Sequence, residues 1–203
     1  MSRRKRAAVR FIALVFFVLG ATEIIEAPLP LLAPGYITPS WSADAGFSGE
    51  PEALLPEPAR FRLAADPALK ARYHQRLHTL DVRTAHFLLT LLIEIPVITI
   101  LVGMGMALWR STRLVPDAVE AGLQWLMAVG WACVGISIGM PIVDGFRTGL
   151  LVRGVLPGHE LFWYDPDTTG LTYIMMLIAA GILAATWTIS AGLKARTDMA
   201  QII

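Results

Sequence analysis

The sequence has 203 residues, 55% of them hydrophobic and 16% charged, with a mean hydropathy of +0.58. A soluble domain carries about 25% charged residues, so the balance points to a membrane protein. A formal net charge of +1 and a single cysteine, Cys133, exclude a strongly basic nucleic-acid binder, an intrachain disulfide and a thiolate metal site.

The chain starts with a basic head, Arg3-Arg-Lys-Arg6 and Arg10, followed by an apolar run from Phe11 to Ala21. A basic head before an apolar run also describes a secretory signal peptide. The cleavage pattern is poor, because Leu19 stands where a small residue is preferred before Ala21. The run is read as an uncleaved first helix over residues 9–31, with an irregular outer end at Pro28, Pro30 and Pro34. The positive head places the N-terminus in the cytoplasm, so the loop over residues 34–83 is expected outside.

That loop opens with turn-forming residues through Pro51 and reads as poorly ordered. Residues 61–65 read as a short strand. Asp66-Pro67 reads as an N-cap followed by proline at the first helical position. Leu69, Tyr73, Leu77 and Leu80 then recur at helical spacing among Lys70, Arg72, His74, Arg76 and His78, which describes an amphipathic basic helix. His74 and His78 have the i, i+4 spacing of a two-imidazole metal site, but no acidic or thiolate ligand accompanies them, so a solvated helix face is preferred.

The second span covers residues 85–109. It is apolar throughout except for Glu94, which lies close to Pro96. Its length matches the roughly 20 residues that cross a ~30 Å hydrocarbon layer at ~1.5 Å each. Arg110 and Arg113 mark a short cytoplasmic turn. The third span, 121–143, carries Gly135 and Gly139 as a small-xxx-small pair. This reads as intramolecular helix packing, with a dimer seam as the alternative. The second outer loop, 144–169, holds two β-rich runs, at 148–155 and 159–164, around Leu156-Pro-Gly, and reads as a hairpin. A small outer sheet with residues 61–65 could result. The fourth span, 170–192, ends at Lys194 and Arg196, so both termini are expected in the cytoplasm.

The expected fold is therefore an all-α membrane domain of four helices with a small extracytoplasmic loop domain. Its candidate polar cluster follows from depth. Glu94 falls about 13 Å below the outer face, and Glu23 about 10 Å below it at ~1.5 Å per residue. Glu26 is one turn above Glu23. Asp144 and Arg147 stand just above this layer, with Arg147 as the natural counter-ion and His86 as a second candidate. Clustered carboxylates in low dielectric raise each other's pKa, which suits a proton or cation site. The competing reading is structural: Glu23 and Glu26 mark the edge of a short span, and Glu94 bonds a carbonyl freed by Pro96.

Signatures of enzymatic chemistry are missing: there is no glycine-rich phosphate loop, no Gly-x-Ser-x-Gly and no His-Glu-x-x-His. The spans also lack the internal histidines that haem needs, so neither a cofactor nor a metal is expected. Partners are the bilayer itself and either a second copy or another membrane protein, with no nucleic acid.

The stretches Ala107-Leu-Trp-Arg-Ser-Thr-Arg-Leu114 and Ala191-Gly-Leu-Lys-Ala-Arg-Thr-Asp-Met-Ala-Gln-Ile202, together with the loop pattern, resemble the bacterial inner-membrane family called domain of unknown function 2975. That family has no established activity, so the resemblance implies no catalytic residues. Some members are encoded beside small helix-turn-helix regulators, which implies a regulatory role. The sequence thus points to a structural, sensory or regulatory membrane protein, with proton or cation handling as the alternative.

Overall fold

The computed structural model describes residues 3–37, 40–42, 46–48, 50–113, 116–156 and 169–200. In chain order the elements are α1 (Arg3–Glu26), α2 (Leu29–Leu32), β1 (Ser40–Ser42), β2 (Gly46–Ser48), α3 (Glu57–Ala65), α4 (Pro67–Leu77), α5 (Leu80–Ser111), α6 (Pro116–Val152) and α7 (Thr169–Ala200). Four stretches are long and apolar enough to cross a membrane: Arg3–Leu32, Leu80–Ser111, Ala118–Val152 and Thr172–Ala195. Their large apolar side chains point outward, among them Phe11, Ile25, Leu92, Trp131 and Leu177, which is 74% exposed. Outward apolar faces would be costly in water and are at home in lipid. The chain is a multi-pass membrane protein by this measure.

Each helix boundary has a local cause. Helix α1 stops at Glu26 before Pro28, whose ring removes an N–H and clashes with the preceding turn. Pro96 and Pro141 lie inside α5 and α6 without ending them. Such interruptions are tolerated in membrane helices because neighbouring groups take up the freed carbonyls. Asp66 caps α4 as expected: its carboxylate accepts from the backbone N–H groups of Ala68 and Leu69, both at 3.0 Å. Pro67 follows at the first helical position.

Two sequence expectations are corrected. Residues 61–65 are the second half of helix α3, not a strand. Ala59 and Leu63 are both buried, and their spacing of four is the helical period that places them on one face. The run from Thr148 to Val152 is likewise helical, because α6 continues nine residues past the expected end of its span. The other run of that expected hairpin, 159–164, lies outside the described residues. Among the described residues the antiparallel pair is β1–β2, in register Ser40–Ser48, Trp41–Phe47 and Ser42–Gly46.

The overrun of α6 has a packing reason. Its 37 residues extend about 55 Å at ~1.5 Å each, well beyond a ~30 Å apolar layer. The projecting end places Leu151, Val152 and Val155 in a core with Leu55, Ala59, Leu63, Tyr73 and Leu77. Tertiary burial of this kind overrides the β preference of single residues. Gly154 then turns the chain at φ +97°, and a Cβ there would stand 2.7 Å from Nη1 of Arg76. The positive φ selects glycine, whereas the Arg76 tip could swing aside.

The chain forms two compact units, to both of which α1, α5 and α6 contribute. The first comprises residues 1–23, 95–137 and 171–203; the second comprises 24–94 and 138–170. The first has a small apolar core of Val129, Cys133 and Ala179, with Ile100, Met104 and Ile182 packed against it. The second holds the larger core just described. Within it α3 and α4 form a cap rooted on the end of α6.

Candidate functional site

The polar side chains of the second unit collect along two helix faces. On α5, Arg83, His86, Thr90 and Glu94 recur at intervals of three, four and four, which keeps them on one side of the helix. His86 and Thr90 are 3% and 1% exposed. On α6, Asp144 and Arg147 are three apart, and Arg147 is 5% exposed. Its Nη1 stands 3.7 Å from Oδ1 of Asp144, a long ion pair within one turn.

The two faces meet electrostatically. The guanidinium of Arg147 feels the charges of both Asp144 and Glu94. His86 in turn feels the charge of Arg147. A buried arginine paired with one carboxylate and within the field of a second is a compensated arrangement, because the anions repay part of the cost of holding a cation away from water. The Nε of Arg147 is buried without a hydrogen-bond partner among the described residues. Beside His86 and Arg83 a small cavity of ≈ 10 Å³ is closed by Gly35, Ile37, Leu77 and Leu151, about the space one water needs. Arg83 also donates through Nη2 to the carbonyl of Leu31, tying α2 to the start of α5.

The expected cluster is therefore assembled in part. Glu94, Asp144 and Arg147 come together, with His86 beside them. Glu26 is exposed, and Glu23 belongs to the first unit, where it is half-buried. The carboxylates that act on Arg147 are Asp144 and Glu94. Sequence reasoning missed Thr90 and Arg83. Their signal was present in the periodicity of α5, since each falls on the same face as His86 and Glu94.

The glycine pair behaves differently from the expectation of packing within the chain. A Cβ added at Gly135 or at Gly139 would meet no described atom within 4 Å. The close approaches of the first unit fall elsewhere. A Cβ at Gly130 would stand 2.6 Å from Leu183, one at Gly103 2.6 Å from Val129, and one at Gly105 2.7 Å from Phe17. At these positions a neighbouring side chain packs directly onto the bare glycine backbone.

A second polar group holds the cap. Glu52 accepts from Nζ of Lys70 at 2.8 Å and meets Nε2 of His74 at 2.9 Å. Tyr73, between them in sequence, is buried and donates its hydroxyl to the carbonyl of Pro51 at 3.4 Å. Burial pushes the Tyr73 phenol well above its ordinary range, so it remains a donor at any physiological pH. His74 is thus engaged with a carboxylate, and His78 lies against Gly35, where its ring would be 3.1 Å from an added Cβ. Among the described residues no group of three or more His, Cys, Asp or Glu is placed to hold a metal ion.

The hydrogen bond from Lys70 holds the Glu52 carboxyl below its ordinary range, and burial opposes it only in part. A carboxyl with a depressed folded pKa contributes stability that is present above its unfolded pKa and is lost as pH falls through the folded one. Acidification below pH ~4.5 is therefore expected to loosen the loop before α3 from α4. Hydrogen exchange at residues 50–56 and 67–77, followed from pH 7 to pH 3.5, checks this. Glu52→Gln is expected to be looser at neutral pH and to lose the acid-dependent step.

Comparison with known proteins finds no matching family model, no matching curated protein and no matching solved structure. The functional reading therefore rests on the geometry of the chain itself.

Proposed function

We propose that this is a non-enzymatic membrane protein with a sensory or regulatory role, in which the cap and a membrane-spanning helix act as one mechanical piece. One observation carries the reading: the cap core of Leu55, Ala59, Leu63, Tyr73 and Leu77 is completed by Leu151, Val152 and Val155 of the α6 end. A force or ligand acting on α3 or α4 must move the end of α6 with them, because close-packed cores do not deform independently. One turn further in, Arg147 pairs with Asp144 and feels the charge of Glu94, so the same displacement would repack a charged contact inside the span. Regulatory switching needs an element of this kind, with packing at one end and charge at the other.

The orientation belongs to the same proposal. Arg3, Arg4, Lys5 and Arg6, the turn at Arg110 and Arg113, and Lys194 and Arg196 carry the positive charge expected of cytoplasmic ends. The cap then faces outward from a bacterial inner membrane with both termini inside. The resemblance to the family called domain of unknown function 2975 fits that placement and is proposed with it.

The alternative is proton or cation handling at the intramembrane carboxylates, and Glu94 beside a buried cation is the observation that keeps it in view. Charge compensation argues for the structural reading, since Arg147 neutralises carboxylates that a cation site would leave available. Glu94→Gln keeps shape and removes charge. In proteoliposomes, wild type and Glu94→Gln are expected to show the same proton and cation flux as empty vesicles. Flux through wild type that the variant abolishes would replace the sensory reading with the transport one.

A further inference from the structure

The first unit carries a feature that the proposed role does not use. Arg3, Arg6 and Arg10 are spaced by three and four residues on α1 and share one face. With Ala7 they line a shallow recess open to the surroundings on that face. Lys5 and Arg4 flank it, and no acidic residue occurs in the sequence before Glu23. The recess is not a loose spray of cations. Arg10 is fixed by a hydrogen bond from Nε to Oγ1 of Thr112 at 3.4 Å, and its guanidinium lies 5.6 Å from the ring centre of Trp109. The Nε of Arg6 is buried without a hydrogen-bond partner among the described residues. A cluster of guanidinium groups without a neighbouring carboxylate in the sequence calls for anionic oxygen acceptors.

The surroundings specify that acceptor. Immediately after Arg10 the helix becomes an exposed apolar face, with Phe11 67%, Leu14 54% and Val18 55% exposed. Trp109 stands at the same level, as aromatic residues do at the boundary between headgroups and acyl chains. A ligand fitting both parts has an anionic oxygen cluster at one end and hydrocarbon at the other. We propose that Arg3, Arg6 and Arg10 form a binding site for the phosphate headgroup of an anionic phospholipid, whose acyl chains lie along the apolar face of α1. Arginine suits this task because its planar fork donates two parallel hydrogen bonds to phosphate oxygens.

The test uses the full-length protein in a neutral detergent, with retained lipid counted by native mass spectrometry. The probes are phosphatidylglycerol and phosphatidylcholine of the same chain length. Wild type is expected to retain the anionic lipid in preference. The triple variant Arg3→Gln, Arg6→Gln, Arg10→Gln is expected to lower that retention about tenfold or more. Arg62→Gln with Arg72→Gln, two exposed cations of the second unit, is expected to change nothing. If the triple variant fails to fold, Arg6→Gln alone is expected to show a several-fold loss. Equal retention of both lipids by wild type, or undiminished retention by the folded variants, overturns the proposal. Displacement of the lipid by millimolar inorganic phosphate also overturns it, by assigning the recess to a free anion.

Discussion

Replacing Arg147 by methionine is expected to cost about 3–5 kcal/mol of stability, because it removes one partner of a buried charged contact and leaves the others in place. Arg147 is 5% exposed, and both Asp144 and Glu94 act on it. Methionine keeps the apolar stem but ends short of the guanidinium, so the loss contains a volume part as well as the charge. Two carboxylates without their cation must then either ionise in low dielectric or take up protons. The combined variant Arg147→Met, Asp144→Asn, Glu94→Gln is expected to recover most of the stability, since a neutral replacement of a whole buried charged group is often tolerated. Reversible unfolding in lipid bicelles measures both. A single variant as stable as wild type would show that Asp144 and Glu94 do not depend on the arginine.

The second large effect concerns the glycines of the first unit. At Gly130 a Cβ would stand 2.6 Å from Cδ2 and 2.7 Å from Cγ of Leu183, whose residue is 8% exposed. At Gly103 it would stand 2.6 Å from Cγ2 of Val129, which is 1% exposed. Neither neighbour has room to retreat, so overpacking is expected to cost about 1–3 kcal/mol for Gly130→Val or Gly103→Val. Gly135→Ala and Gly139→Ala are expected to stay within about 0.5 kcal/mol of wild type, as for surface positions. The comparison uses one assay, thermal unfolding in the same detergent. If Gly135→Leu changes the oligomeric state while leaving the melting behaviour of the protomer intact, that face is a contact between copies.

The contrast among these glycines shows what the sequence can and cannot say. Small-xxx-small spacing identifies a helix face able to accept a close neighbour, and Gly135 and Gly139 have that spacing. Whether a neighbour arrives depends on the azimuth of a different helix, which no local pattern encodes. Gly130 has no such partner four residues away on either side, yet it takes the close contact.

Depth and direction differ in the same way for the carboxylates. Counting residues along each span set Glu23, Glu26 and Glu94 at a similar height. Height says nothing about which way a side chain points around the helix. Glu26 is exposed, whereas Glu94 lies on the face that carries His86 and Thr90. A projection of α5 onto its own helical period would have found that face, because Arg83, His86, Thr90 and Glu94 fall on it together.

The spans themselves were legible from hydropathy, and the start of α4 from Asp66-Pro67. The cap was not. Phe61-Arg-Leu-Ala-Ala reads equally well as strand or helix until Ala59 is included, since only the pair Ala59 and Leu63 reveals the period. The run Thr148–Val152 has a β-like composition, and its helical state is set by burial against Leu63, Tyr73 and Leu77, which are remote in sequence. Long-range packing of this kind decides short ambiguous segments, and local propensity yields to it.

The coupling of cap to span is tested most directly by hydrogen exchange on wild type and Leu63→Ala in lipid nanodiscs. Leu63 is 2% exposed in the core that joins α3 and α4 to the end of α6. Its truncation opens a cavity and is expected to cost about 2–5 kcal/mol locally. If the cap and the end of α6 are one cooperative unit, protection falls together in residues 55–77 and 144–156. Exchange that rises in 55–77 while 144–156 stays as protected as in wild type would contradict the coupling, and with it the proposed role.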